Sequence, residues 1–209
     1  MGRTDLAAAI IAGQRSRAAE LTRAALDEGR GASELLDEEM IPAMEEVGDR
    51  FAEGELYVPE MLVAAEAMKA CLAVVRPLLT EAGQEARGTV VLGTVKGDIH
   101  DLGKNVVGTM LEGAGFEVVD LGIDVPAERF VDEAGKHGAK IIGLSALTTT
   151  TMPAMADVIG ALSAAGIRDE VKVMIGGAPV TEEYARQIGA DAYEPNAAAA
   201  SKRARQLIA

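Results

Sequence analysis

The sequence predicts an α/β protein in two parts, a helical bundle followed by a doubly wound parallel sheet. Three observations carry this. Up to about Ala82 the apolar residues recur at helical spacing with few β-branched runs. Around Gly83 to Gly88 the rhythm changes, and short apolar runs begin to alternate with helical stretches. The composition is 49% hydrophobic but only 3% aromatic, with no Trp in 209 residues. A core must therefore come from Ala, Val, Leu, Ile and Met, which suits close helix packing and a small parallel sheet.

A short helix near residues 4–12 opens the chain. Ala18, Leu21 and Ala25 suggest a second helix, and Leu35, Ile41, Met44, Val47 and Phe51 a third. Gly29-Arg30-Gly31 and Glu53-Gly54-Glu55 read as connections. The fourth is the clearest. Met61, Ala65, Met68, Leu72, Val75 and Leu79 alternate spacings of four and three, which places them on one stripe, and Pro59 suits the first turn. Cys71, next to that stripe, reads as a buried, inert thiol. Four such helices pack economically as an antiparallel bundle.

Strands are expected at residues 89–95, 117–121, 141–144 and 171–175, with helices near 103–114, 127–137, 152–165 and 181–188. A last helix runs from about Pro195 to Ile208. This alternation means parallel strands joined by right-handed crossovers, in a sheet of four or five strands. The expected domains are residues 1–86 and 87–209. Ligands in such sheets sit at the carboxyl ends of the strands.

Charge narrows the partners. A net charge of -13 argues against nucleic acid, which requires clustered Lys and Arg, and against anionic membrane surfaces. Lys202, Arg203 and Arg205 form a short cluster that complements a helix C-terminus. One cysteine excludes an internal disulfide and fits a reducing cytosol. No signal-peptide pattern opens the sequence, and no run approaches the roughly 18 apolar residues of a membrane span. A cytoplasmic location is expected.

The polar, glycine-rich segments of the second half follow the predicted strands. After the first comes Gly97-Asp98-Ile99-His100-Asp101-Leu102-Gly103-Lys104-Asn105, after the third Ser145-Ala146-Leu147-Thr148-Thr149-Thr150-Thr151, and after the fourth Gly176-Gly177-Ala178-Pro179. Asp98 could orient one nitrogen of His100 and leave the other outward, as a carboxylate does behind a metal-bound imidazole. The same pairing serves acid/base catalysis or plain loop structure. His137, in Lys136-His137-Gly138, reads as a helix-terminal residue. Two histidines and one cysteine cannot enclose zinc, so a single protein ligand makes sense for a metal already held by a macrocycle. Gly176 and Gly177, without a Cβ, permit close approach of an extended ligand.

Asp98-x-His100-x-x-Gly103, then Ser145-x-Leu147, then Gly176-Gly177 resembles the cobalamin-binding signature. With its helical half, the chain is similar to the small corrinoid proteins of methyltransferase systems, such as those for methylamine and methanol, and to the cobalamin module of methionine synthase. The likeness runs from about residue 30 to the C-terminus. It implies an N-terminal four-helix bundle cap and a C-terminal flavodoxin-like (Rossmann-like) sheet that binds cobalamin or a related corrinoid.

By this resemblance, His100 replaces the nucleotide base beneath cobalt, Asp98 hydrogen-bonds it, and Thr151 stands where methionine synthase has a further relay hydroxyl. Thr151 keeps the hydroxyl but adds a methyl. The first motif, Gly97 through Gly103, would meet the corrinoid. Ser145, Leu147 and Thr149 would line one wall of a slot for the displaced nucleotide tail, Gly176 and Gly177 the other, with Gly103 letting the backbone pass close. Tyr193-Glu194-Pro195-Asn196-Ala197 resembles the segment whose alanine, here Ala197, touches the cofactor. Gly48-Asp49-Arg50-Phe51, Gly54 and Tyr57-x-Pro59-Glu60 resemble the cap over the upper cobalt face, where Tyr57 matches an aromatic against the methyl group. Helix phase makes Met61 its neighbour.

The resemblance further implies a methyl carrier, with methylcobalamin as the loaded state. The bundle would move off the upper face to admit a partner. Expected partners are a donor-specific methyltransferase, an acceptor methyltransferase using a folate or a thiol, and a reductive activating protein as a third candidate. There is no room for a substrate barrel of about 250 residues, so the chain is not expected to be active alone. The alternatives are the cobalamin subunit of an adenosylcobalamin mutase, which shares the three motifs but not the helical half, and a cobalamin-dependent regulator, which needs a basic output element. A flavodoxin-like module without metal would leave the three motifs unexplained.

Overall fold

The structure, a computed structural model, describes residues 4–81 and 87–208. The expected change of rhythm at Gly83 to Gly88 thus falls largely outside the described residues. The chain divides into two compact units. One runs to Ala86 and includes Glu112–Gly115; the other comprises Arg87–Leu111 and Phe116–Ala209.

The helical unit contains α1 (Asp5–Ile11), α2 (Arg15–Asp27), α3 (Ala32–Leu35), a π-helical stretch (Leu36–Met40), α4 (Ile41–Ala52) and α5 (Val58–Glu81). Thr4 caps α1 by accepting from the Ala7 amide at 3.2 Å. Glu60 closes the start of α5 by accepting from the Tyr57 amide at 2.8 Å. On α5 the stripe of Met61, Ala65, Met68, Leu72 and Val75 is buried as expected, with Cys71 beside it.

Two details differ from the sequence reading. The buried face of α2 is Ala18, Ala19 and Thr22, with Leu21 only half-buried. Small residues let α2 lie close to its neighbour, and the Thr22 hydroxyl is satisfied by donating to the Ala18 carbonyl at 2.8 Å. The third helix is also not one uninterrupted α-helix. Pro42 has no N–H for the carbonyl four residues back, and the preceding turn is π-helical. That shift buries Glu39, which accepts from the Thr4 hydroxyl at 2.5 Å and pairs with Arg30.

In the second unit, β1 (Thr89–Thr94), β2 (Glu117–Asp120), β3 (Ile141–Ser145), β4 (Lys172–Gly176) and β5 (Ala192–Tyr193) form one parallel sheet of order β2-β1-β3-β4-β5. The helices are α6 (Leu102–Gly113), α7 (Ala127–His137), α8 (Pro153–Ala164), α9 (Glu182–Ile188) and α10 (Ala197–Leu207). This is the expected doubly wound, flavodoxin-like arrangement, whose order reverses between β1 and β3. The two-residue β5 is too short to have had a periodic signature.

Register explains the core. Val91 pairs with Ile142, and Ile142 with Val173; Leu144 pairs with Ile175. These side chains share one face and pack with Phe130, Ala134, Met155, Val158 and Leu162 of α7 and α8. On the other face Leu92 nests against α6, where a Cβ on Gly108 would lie 3.2 Å from it. Helices therefore cover both faces, and the strand ends are left for function. Gly138, left-handed at φ 58, ends α7, and His137 just before it pairs with Glu133 at 3.1 Å. Among the described residues, no helix is long and apolar enough to cross a membrane.

Candidate functional site

The reversal between β1 and β3 makes the β1–α6 and β3–α8 loops diverge, and both polar motifs lie there. Asp98 is the centre. Its side chain is wholly buried, and four donors converge on it. Oδ1 accepts from the His100 amide at 3.0 Å and lies 2.8 Å from His100 Nδ1. Oδ2 accepts from the Leu147 amide at 2.8 Å and from the Thr151 hydroxyl at 2.6 Å. Burial alone would raise the Asp98 pKa. The Thr151 hydroxyl, the two amides and the imidazole outweigh that and hold it far below the usual carboxylate range. An ionised carboxylate only accepts, so His100 carries its proton on Nδ1 and its lone pair on Nε2. That nitrogen has no hydrogen-bond partner among the described residues, on a side chain 50% exposed. The pair thus presents an outward nitrogen base fixed by a buried anion.

Three residues that the sequence reading passed over complete the setting. Thr94, fully buried at the end of β1, donates to the His100 carbonyl at 2.9 Å. Asp124 has φ 51, an unusual conformation for a residue with a Cβ. It donates through its amide to the Asp98 carbonyl at 2.9 Å and accepts at Oδ1 from the Gly97 amide at 2.7 Å, tying the β2–α7 loop to the histidine loop. Thr148 places its hydroxyl 2.8 Å from that of Thr151 and 3.0 Å from that of exposed Thr150. Thr94 and Asp124 had no pattern to mark them, since Thr94 sits inside an apolar strand and Asp124 is one acid in a loop; Thr148 lies in the polar run after the third strand, where nothing set it apart from its neighbours.

The fourth such residue is apolar. In this unit the large hydrophobic side chains left exposed, among the described residues, are Ile99, Leu102, Ile123 and Leu147. They come from the loops that follow β1, β2 and β3 and from the first residue of α6, around His100. Exposed apolar residues gathered in this way mark a binding surface. Ile123 was not foreseen, because the second strand carries no motif.

The other expected residues fall as follows. Gly97 and Asp101 flank the Asp98–His100 turn, and Gly103 lies in the first turn of α6 with open space where a Cβ would be. Ser145 ends β3, where its carbonyl accepts from the Val95 amide at 3.0 Å, and Thr149 is exposed. Gly176 ends β4. At Gly177, φ is 129 and a Cβ would lie 1.9 Å from the Ala146 carbonyl oxygen. Its demand for glycine comes from this loop-to-loop approach. Ala197 is buried in the first turn of α10, which Asn196 caps by accepting from Ala199 at 2.9 Å. Tyr57 and Met61 belong to the helical unit; Tyr57 is 71% exposed and Met61 fully buried.

Fold and site together define a doubly wound domain that offers one oriented imidazole on an apolar surface at its topological switch point. Comparison with known proteins gives this a family. Residues 88–202 and 3–76 each match a family described as a B12 binding domain. The chain is 44% identical to dimethylamine corrinoid protein 1 of Methanosarcina acetivorans, over 98% of this chain and 96% of that protein. Two solved structures are similar. A cobalamin-binding protein of Desulfitobacterium hafniense has a TM-score of 0.82 at 34% identity, covering 98% of this chain and 97% of that one. A chain of the methanol:cobalamin methyltransferase complex of Methanosarcina barkeri has 0.83 at 32%, covering 97% and 78%. The chain belongs to the B12-binding corrinoid proteins of methylamine and methanol methyltransferase systems, which carry methyl groups between methyltransferases.

Proposed function

We propose that His100 is the lower axial ligand of a cobalamin-type corrinoid and that this chain carries methyl groups on it. The observation behind this is the Asp98–His100 pair, with Nδ1 held by a buried carboxylate and Nε2 free on an exposed apolar surface. The fit is chemical as well as geometric. A flat, largely apolar macrocycle suits Ile99, Leu102, Ile123 and Leu147, and the open space at Gly103 suits a close-lying tail. Ser145, Thr149, Gly176, Gly177 and Ala197 are the further residues proposed to meet that tail.

When bound, the corrinoid supplies a cobalt centre able to accept and give up a methyl group. The protein's part is positional and protonic. Asp98 keeps His100 in the tautomer that can coordinate. The ionised Asp98 carboxylate would balance positive charge on the imidazole. Thr151 holds Asp98 in place, with its hydroxyl in contact with that of Thr148. Tyr57 is proposed as the aromatic that meets the methyl group, and Met61 as a further cofactor-binding residue.

The domains proposed are residues 1–86 as the helical cap and 87–209 as the corrinoid domain. The proposed partners are a donor methyltransferase, an acceptor methyltransferase using a folate or thiol, and a reductive activator. The 44% identity to a dimethylamine corrinoid protein supports a methylamine donor system. A reduced, cytoplasmic setting agrees with the buried free thiol of Cys71. The test is His100→Ala in the full chain, loaded with cobalamin and reduced to the cobalt(II) state. Nitrogen coupling from a protein imidazole is expected in the parent spectrum and absent from the variant. The same coupling in both would falsify the assignment.

A further inference from the structure

Lys104 lies in the first turn of α6 with its side chain 1% exposed. Its ammonium donates to Asn105 Oδ1 at 2.7 Å and to Asp120 Oδ2. Two costs attach to that position. Burial takes the ammonium out of water, and the first turn of a helix already carries the positive end of the dipole. An apolar side chain of the same length would avoid both, so stability alone does not account for a lysine here.

What the lysine does is join segments. Asp120 ends β2, an edge strand paired only with β1. Its other oxygen accepts from the Gly122 amide at 2.9 Å, fixing the start of the loop that carries Ile123. On the other side, Asn105 donates through Nδ2 to Asp101 Oδ2 at 3.1 Å and through its amide to the Asp101 carbonyl at 2.8 Å. Asp101 directly follows His100. None of these bonds involves Asp98. Asp98 holds the imidazole ring and the His100 amide, and Thr94 holds the His100 carbonyl, whereas this chain of contacts fixes Asp101, the next residue along the backbone.

Resting on the corrinoid reading above, we propose that Lys104 is a positioning residue. Through Asp120 on one side and Asn105 and Asp101 on the other, it fixes the His100 backbone at the height needed for coordination and ties that height to the Ile123 loop. Its loss shifts the bound corrinoid from imidazole-coordinated toward uncoordinated cobalt, with the Asp98–His100 bond still intact.

The experiment loads the full chain with cobalamin, reduces it to the cobalt(II) state, and reads the ratio of coordinated to uncoordinated cobalt from nitrogen hyperfine coupling. Lys104→Met and Asp120→Asn are each expected to lower that ratio about tenfold, as loss of a ligand's supporting contacts does at metal sites. Val158→Ala, a cavity in the core behind the sheet, is the comparison: it lowers the melting temperature and leaves the ratio unchanged. Parent-like ratios in the Lys104 and Asp120 variants overturn the proposal, as does an equal fall in Val158→Ala. A parent protein without imidazole coupling overturns instead the ligand assignment on which the proposal rests. If Lys104→Met does not fold, Asp120→Asn decides, because the Asp120 side chain is 45% exposed and its loss leaves the core intact.

Discussion

Replacing Asp98 by asparagine exchanges one oxygen for an amide nitrogen and keeps the shape, so it isolates what the carboxylate contributes. Four donors converge on the two oxygens, and an amide has only one acceptor end. If that end faces His100, the amide nitrogen meets the Leu147 N–H. If it faces Leu147 and Thr151, the nitrogen meets the His100 N–H, and Nδ1 must accept, which moves the imidazole proton to Nε2. In either orientation a backbone donor loses its acceptor, at a cost of about 1–3 kcal/mol, and the remaining bonds change from charged to neutral. A loss of roughly 2–4 kcal/mol at neutral pH is expected for the corrinoid-free chain.

The sign of the pH dependence follows from the pKa of Asp98, which folding pushes far below the ordinary range. A carboxyl whose folded value is depressed gives its full stabilisation above the unfolded value, about 3.9 for Asp, and loses it as pH falls below that toward the folded value. Asparagine does not titrate. The gap between parent and variant, measured by urea unfolding followed by circular dichroism, is expected to be full at pH 7 and smaller at pH values under about 4. A gap of under half a kcal/mol at neutral pH, or one that widens on acidification, refutes the account of Asp98 as a buried, ionised hub. Nitrogen NMR of His100 adds a second reading: the parent shows the proton on Nδ1, and a variant with it on Nε2 binds cobalamin without imidazole coordination.

Other positions separate stability from binding. Leu147→Asp or Ile123→Asp changes an exposed side chain, so unfolding is expected to shift by no more than about 0.5 kcal/mol, while titration with cobalamin shows clearly weaker binding; parent-like affinity removes these residues from the corrinoid surface. Gly177→Ala would push a methyl group into the Ala146 carbonyl, and a fall in melting temperature equivalent to at least about 2 kcal/mol is expected, with near-parent stability arguing that the two loops are not in contact. In the helical unit, Glu39→Ala leaves the Thr4 hydroxyl and Arg30 without their buried acceptor. A loss of about 1–3 kcal/mol is expected on thermal unfolding, and no change would remove the π-helical turn from any stabilising role.

Much of the fold was legible because its signals are periodic. The α5 stripe repeats often enough to fix its phase, and in β1, β3 and β4 both faces are covered, so each reads as a short apolar run. Where the period is broken, the reading slipped. The α2 face is lined by Ala18, Ala19 and Thr22, which carry little hydrophobic contrast, so the larger Leu21 drew the phase one position away. The π-helical turn before Pro42 had a signal in the missing amide, but what fills the displaced register, buried Glu39 paired with Arg30 and Thr4, depends on contacts between elements.

The site shows the same division between signals within one segment and contacts across segments. Asp98 and His100 form a pair within one loop and could be read from the residues, whereas Leu147 and Thr151 came forward through the resemblance to the cobalamin-binding signature. Asp120, at the end of β2, and Ile123 and Asp124, in the β2–α7 loop, matter only through what they touch: Lys104, the apolar surface around His100, and Gly97 and Asp98. A strand order that places β2 beside β1 is therefore what converts an unremarked loop into part of the site. It follows that substitutions in the β2–α7 loop act on His100 without touching it. The Asp124→Ala variant is a direct case: it removes the carboxylate that holds the Gly97 amide and puts alanine at φ 51, a conformation that favours Asp, Asn or Gly. Weaker cobalamin binding with Asp98 and His100 unaltered is the expected result in a cofactor titration, and binding equal to the parent would mean that the histidine loop needs no support from β2.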